Sequence, residues 1–148
     1  MPIVKDEKLK ALLAEGRITA ISIDTNIFDK KGLQLNSPTL QAFAGLQDRR
    51  FSFVLSGTVA KEVLAHLEKA AADALKSAKK AIGQAIFAFY TKTPERDALL
   101  AQISGGRTAK EASAERWDKY VKDTGCAMAF DNGKCGHWLN RRPNITNL

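Results

Sequence analysis

Two short apolar runs, each followed abruptly by small polar residues, constrain the fold of this chain more than any other feature. The first run, residues 18–23, is rich in β-branched residues and stops at Asp24, Thr25 and Asn26. Such a run is typical of a strand covered on both faces, as in a parallel sheet flanked by helices. The second run, residues 51–55, ends at Ser-Gly-Thr, and the stretches around both runs have helical spacing. The sequence therefore predicts a helix-rich α/β fold with a short parallel sheet flanked by helices.

Most of the remaining chain is predicted to be helical. Apolar or alanine residues recur every three or four positions from Val59 to Tyr90 without a proline, which predicts one helix of ~48 Å with Gly83 as the place for a bend. Thr108 and Glu111 form a capping box at the start of the last helix, which carries Trp117, Tyr120 and Val121. Further helices are predicted at residues 4–15, 37–47 and 93–103.

The length of 148 residues suits a single domain with its own core. We expect a domain at residues 1–123, with the core motifs in residues 18–70 and a helical insertion in residues 71–123. Residues 124–148 keep neither a helical nor a strand period for long. We therefore expect an irregular tail there, with one short strand or turn at most.

The charge balance favours polyanionic partners, because 23 Lys and Arg residues outnumber 16 Asp and Glu residues. From the charge alone, nucleic acid is the first expectation and an acidic membrane surface is the second. Two cysteines exclude a disulfide-dense secreted scaffold. The chain has no apolar run long enough to span a bilayer and no signal peptide at its start, so we expect a cytoplasmic protein that does not bind membranes.

Asp24 is the first candidate site residue, because ligands collect at the carboxyl ends of strands in open α/β sheets. Thr25 and Asn26 add a hydroxyl and an amide oxygen, and all three side chains suit Mg²⁺ or Mn²⁺. The alternative is that Asp24 or Asn26 merely caps the following helix. Glu62 lies in the first turn of the helix after the second strand, which would bring it close to Asp24. Its alternative role is a favourable interaction with the helix dipole.

The Asp-Thr-Asn triplet after an apolar strand, with an acidic residue about 40 positions later in Ser-Gly-Thr-Val-Ala-Lys-Glu-Val, resembles the PIN domain nucleases. The likeness is greatest to PIN-like proteins with long helical insertions, which are often described as domains of unknown function. It covers residues 18–70. The resemblance implies a Mg²⁺- or Mn²⁺-dependent endoribonuclease that hydrolyses RNA, or alternatively DNA, with metal-activated water. It implies that Asp24 and Glu62 are catalytic metal ligands and that Thr25 or Asn26 assists them in binding the cofactor.

The sequence departs from that family in its later acidic residues. PIN domains normally supply a third and often a fourth carboxylate, and the candidates here, Asp118, Asp123 and Asp131, follow no clear strand end. We therefore expect a PIN-like protein shortened at its C-terminal end, with an incomplete fold there and unrelated residues introduced by a frameshift after about residue 126. The alternative function is a catalytically degenerate PIN-like module that binds nucleic acid or a protein. A homodimer or a partner protein would then cover the alanine-rich helices.

The remaining polar residues allow further interpretations. His66, one helical turn after Glu62, either orients Glu62 or touches phosphate, or it pairs with a neighbouring acid. Cys126, Cys135 and His137 are spaced too widely for a structural zinc site and are expected to be free. A phosphatase with an aspartate nucleophile needs a second aspartate two residues later as its general acid. Because Asn26 stands at that position, this class of enzyme is set aside. The basic residues either bind RNA phosphates or form a solvated surface: Lys61, Lys69, Lys76, Lys79, Lys80, Lys92, Arg49, Arg50, Arg141 and Arg142.

Overall fold

The computed structural model describes residues 6–46, 51–89 and 96–129. The first half contains α1 (Asp6–Ala14), β1 (Ala20–Ile21), α2 (Thr25–Lys30), α3 (Pro38–Gln41), a 3₁₀ helix (Ala42–Leu46) and β2 (Ser52–Ser56). The second half contains α4 (Gly57–Phe89), α5 (Arg96–Ser104), α6 (Ala109–Thr124) and β3 (Ala127–Ala129). This order confirms the predicted helix-rich α/β fold with a short parallel sheet.

The sheet has three parallel strands in the order β1-β2-β3, with β2 in the centre. Ile21 of β1 is in register with Phe53 of β2, and Leu55 of β2 is in register with Met128 of β3. The strand β3 lies in the segment for which one short strand at most was expected. Residues 130–148, the rest of the predicted irregular tail, lie outside the described residues.

The core lies on one face of this sheet. Phe53 and Leu55 are buried, whereas Val54 between them is only half-buried. Ala20 of β1 is exposed and Ile21 is half-buried. The prediction that the first strand is covered on both faces is therefore wrong for the described part of the chain. The physical reason is that, among the described residues, β1 is a two-residue strand at the edge of the sheet with β2 as its one paired neighbour.

An aromatic cluster joins α2 to α6 over the covered face. The ring centroid of Phe28 lies 5.9 Å from that of Trp117 and 5.7 Å from that of Tyr120. All three side chains are at most 5% exposed. A second ring pair, Phe43 and Phe53, stacks at 4.5 Å and attaches the 3₁₀ helix to β2. Trp117 and Tyr120 are thus core residues.

The helix boundaries follow local sequence signals. The capping box of Thr108 and Glu111 is present at the start of α6, and Gly125 ends that helix in the left-handed conformation with φ of 58°. The long helix α4 runs through Gly83 without interruption. The helix expected at residues 37–47 is split instead into α3 and the 3₁₀ helix. Gly45, a poor helix former, lies in its second part.

Within α4, the buried side chains are confined to the first part of the helix. They are Ala60, Val63 and Leu67, and none of the residues after Leu67 in this helix is buried. Both α5 and α6 contact α4. No helix in the described ranges has the combination of length and apolar character that a membrane span requires.

Candidate functional site

Asp24 begins α2 at the carboxyl edge of the sheet. It is the N-cap residue, and its Oδ1 accepts a hydrogen bond of 2.8 Å from the backbone N–H of Thr25. Its Oδ2 accepts a second bond of 2.8 Å from the side-chain amide of Asn26. The capping role considered for Asp24 is thus present. The two bonds also hold the exposed carboxylate in one orientation, and each of its oxygens keeps a further lone pair.

Glu62 is connected to this edge by a side-chain hydrogen bond. The hydroxyl of Thr25 donates to Oε2 of Glu62 at 2.5 Å, and Thr25 is only 6% exposed. The contact follows from the topology, because β1 and β2 are parallel neighbours and the helices after them begin at the same edge. Asp24 and Glu62 both accept hydrogen bonds from Thr25. The distance between Oδ1 of Asp24 and Oε2 of Glu62 is therefore at most about 9 Å.

The sequence predicts Glu62 in the first turn of its helix, and this prediction is wrong. The helix α4 begins at Gly57, two residues earlier than expected, because the hydroxyl of Ser56 accepts a hydrogen bond of 3.1 Å from the N–H of Val59. Glu62 therefore lies in the second turn. Since the effect of the helix dipole falls off within the first turn, it does not explain why a carboxylate stands here.

A second polar contact lies one turn further along the same two helices. Nδ1 of His66 is 2.9 Å from Oδ1 of Asp29. The contact is a hydrogen bond in the tautomer of His66 that carries a proton on Nδ1, which then donates to the carboxylate. His66 thus pairs with a neighbouring acid, as one of its two readings predicted, and its described polar partner is not Glu62.

These two contacts make α2 and α4 run side by side in the same direction. Thr25 and Asp29 are four residues apart on α2, and Glu62 and His66 are four residues apart on α4, so each pair occupies one helix face. Sequence reasoning missed Asp29. The matching four-residue spacing on both helices was the signal that could have found it.

The donor atoms around Thr25 suit a hard divalent cation in type but are few in number. Carboxylate and hydroxyl oxygens are the ligands that Mg²⁺ and Mn²⁺ prefer. Within residues 6–46, 51–89 and 96–129, no group of three or more His, Cys, Asp or Glu side chains has the geometry to hold a metal ion. Asp123 instead accepts from Lys119 at 2.7 Å. Asp131 lies outside the described residues.

The cysteine and histidine candidates for zinc do not meet in the described part of the chain. Cys126 is a free, buried thiol. Burial raises the pKa of that thiol from 9.0 to about 11, so it is protonated at neutral pH. Cys135 and His137 lie outside the described residues.

The lysines of α4 form an exposed basic surface. Lys61 and Lys69 flank the first half of this helix, and the second half carries Lys76, Lys79 and Lys80. The other basic residues singled out from the sequence, Lys92 and the arginine pairs at 49–50 and 141–142, lie outside the described residues.

Comparison with known proteins assigns the chain to no family. Neither protein-family models, nor curated proteins, nor solved structures gave a match to it. Its function is therefore inferred from the residues around Thr25 and from the charge of the surface.

Proposed function

We propose that this chain is a metal-dependent endoribonuclease of the PIN type that hydrolyses RNA phosphodiester bonds. The single observation that supports this function is the hydrogen bond from Thr25 to Glu62. It keeps the Glu62 carboxylate close to Asp24 at the carboxyl edge of a parallel sheet, where α/β proteins commonly bind ligands. The net charge of +7 suits an RNA substrate.

Each residue then has a stated task. Asp24 and Glu62 hold Mg²⁺ or Mn²⁺, Asn26 fixes the orientation of the Asp24 carboxylate, and Thr25 fixes that of Glu62. The bound cation supplies polarisation of the phosphodiester and a lower pKa for the attacking water. Mg²⁺ sites commonly use one or two carboxylates together with substrate phosphates and water. Two carboxylates therefore suffice in the complex with RNA, and the exposed lysines of α4 attract the substrate.

The alternative is a catalytically degenerate PIN-like module that binds nucleic acid or a protein. The observation that favours it is the limit of two carboxylates at this edge within the described residues. A module of this kind would keep the surface charge and bind RNA without cleaving it. The two functions differ in whether cleavage depends on Asp24 and Glu62.

The test is cleavage of fluorescent single-stranded RNA with Mn²⁺ by the wild type and by Asp24→Asn and Glu62→Gln. Asparagine caps helices as well as aspartate, so the first variant keeps α2. Asp73→Asn and Glu68→Gln are matched controls, because both residues are exposed on α4 away from the site. We expect the site variants to lose at least 100-fold in rate and the controls to keep it.

Calorimetric titration of Mn²⁺ into the same variants separates the outcomes. Cleavage that survives both site variants would rule out the nuclease site at Thr25. RNA binding with neither cleavage nor Mn²⁺ binding would support the degenerate module instead. Absence of both RNA binding and cleavage in the wild type would contradict both proposals.

A further inference from the structure

A groove lies between α4 and α5, far from Thr25 along α4. It consists of two adjoining cavities of about 340 and 230 Å³, which share Leu75 and Ser104 in their walls. The second cavity continues to the first turns of α6. We refer to this surface, from Ala71 to Lys79 on α4 and from Leu100 to Ser104 on α5, as the α4–α5 groove. It is about two helical turns long.

The walls of the α4–α5 groove are apolar. On α4 they are made by Ala71 and by Ala74 and Leu75, which follow it by three and four residues, and on α5 by Leu100 and Ile103. Ile103 is 62% exposed, an unusual state for a large apolar side chain next to other apolar residues. Two helices with apolar residues at this spacing form the kind of trough that accepts the apolar face of a third helix.

The rim of the groove is basic. Lys76 and Lys79 line it from α4, and within the described ranges neither of them has an ion-pair partner. From Lys76 to Phe89 the helix contains three lysines and no acidic residue. Arg107 adds a further cation at the other end of the groove, where it pairs with Glu115. An occupant with acidic residues beside its apolar face would satisfy the unpaired lysines.

We propose that the α4–α5 groove is a docking site for an acidic amphipathic helix of a partner protein. This inference does not depend on the proposed nuclease function. The apolar walls give the occupant its anchors, and the lysine rim selects its charge.

Charge and apolar character argue against three other possible occupants of this groove. A second copy of the chain carries a net charge of +7 and would meet the lysines with like charge. The chain's own residues 130–148 contain three basic residues and one acidic residue, so they also have the wrong sign. RNA has the right charge but offers no apolar face to Leu75, Leu100 and Ile103.

The test begins with a displayed library of helical peptides that is selected on the full chain and counter-selected on Ile103→Glu. We expect enrichment of sequences with apolar residues at i, i+3, i+4 and i+7 and with a net negative charge. The consensus peptide is then synthesised with a fluorophore, and its affinity is measured by anisotropy. Circular dichroism checks that each variant is folded, which the exposure of Ile103 makes the expected result.

Matched variants locate the binding site. Ile103→Glu and the double change Lys76→Glu with Lys79→Glu are each expected to weaken binding of the consensus peptide at least tenfold. Leu99→Glu on α5 and Lys80→Glu on α4 are the controls, because neither residue lines the groove. Both controls are expected to stay within twofold of the wild type.

Several results would overturn the proposal. One is a library that yields no enrichment, or enriched peptides without an acidic bias. Another is a dimer in sedimentation equilibrium that Ile103→Glu dissociates, since it would assign the groove to a second copy. Loss of single-stranded RNA binding in Ile103→Glu, with binding retained in Leu99→Glu, would assign the groove to RNA.

Discussion

The hydrogen bond from Thr25 to Glu62 supports the proposed site, and a double-mutant cycle measures it in solution. Thr25→Val removes the hydroxyl and keeps the β-branched shape of a side chain that is 6% exposed. Glu62→Ala removes the acceptor. If the two groups interact, the double variant loses less free energy of unfolding than the sum of the two single variants.

The size of the coupling follows from burial at the two ends of the bond. A hydrogen bond to a charged group contributes about 1.5–3 kcal/mol when water is excluded from both partners. Here the donor is buried but the Glu62 carboxylate is exposed, so water replaces part of the lost interaction. We therefore expect a coupling energy of about 1 kcal/mol. For a chain of this length, that energy corresponds to about 2–4 °C in Tm.

The assay is urea unfolding followed by circular dichroism at constant pH and salt. The control cycle combines Thr25→Val with Glu68→Ala, which removes a carboxylate from the same helix without touching Thr25, and its effects should be additive. A coupling energy for Thr25 and Glu62 that is indistinguishable from the control would mean that the two side chains do not interact in solution. The nuclease proposal would then lose the observation that supports it.

Two further predictions concern the N-terminal cap of α6 and Cys126, the residue after the C-terminal cap of this helix. Thr108→Ala should lower the free energy of unfolding by about 1 kcal/mol, whereas Thr108→Ser keeps the capping hydroxyl and the stability. The backbone N–H and then the hydroxyl of Thr108 hold the pKa of Glu111 below its ordinary value of 4.5, so this carboxyl stabilises the fold above pH 4.5 and ceases to do so as the pH falls through its lowered pKa. Thr108→Ala removes the hydroxyl but keeps the backbone N–H, so its acid unfolding should show this part of the pH dependence reduced rather than abolished, and an unchanged acid profile would contradict a contribution from the hydroxyl. Burial raises the pKa of the Cys126 thiol from 9.0 to about 11, so the unfolded chain loses its proton first and stability falls from pH 9 towards pH 11. The free energy of unfolding is measured with urea at about pH 8 and about pH 9.5 in a Cys135→Ser background. Its decline between the two pH values should be smaller when Cys126→Ala is added, and equal declines would count against a buried thiol.

Features of the fold that depend on near neighbours in the chain could be predicted from the sequence. The capping box at Thr108 and the helical spacing along α4 both depend on residues that lie within about one helical turn of each other. The strand β3 could not be located in this way, because Ala127–Ala129 is short and has no period of its own. Its place is set by pairing with Val54–Ser56, more than 70 residues earlier in the chain.

The candidate site was predictable only in outline. Asp24 could be identified because it follows an apolar strand, and its neighbourhood to Glu62 follows from the parallel order of β1 and β2. The hydrogen bond from Thr25 could not be foreseen, since it joins residues 37 positions apart and depends on the rotation of α4 about its axis. The same holds for the contact between Asp29 and His66. Side-chain contacts between helices require the packed structure.

The distribution of buried residues along α4 has a mechanical consequence. This helix of 33 residues is fixed at one end by Ala60, Val63 and Leu67, and its far end has no buried side chain. Thermal displacement of a rod clamped at one end increases with distance from the clamp. Glu62 therefore lies beside the buried residues that hold α4 in place, which suits its proposed role as a cation ligand, whereas Lys79 lies in the part of the helix without buried side chains.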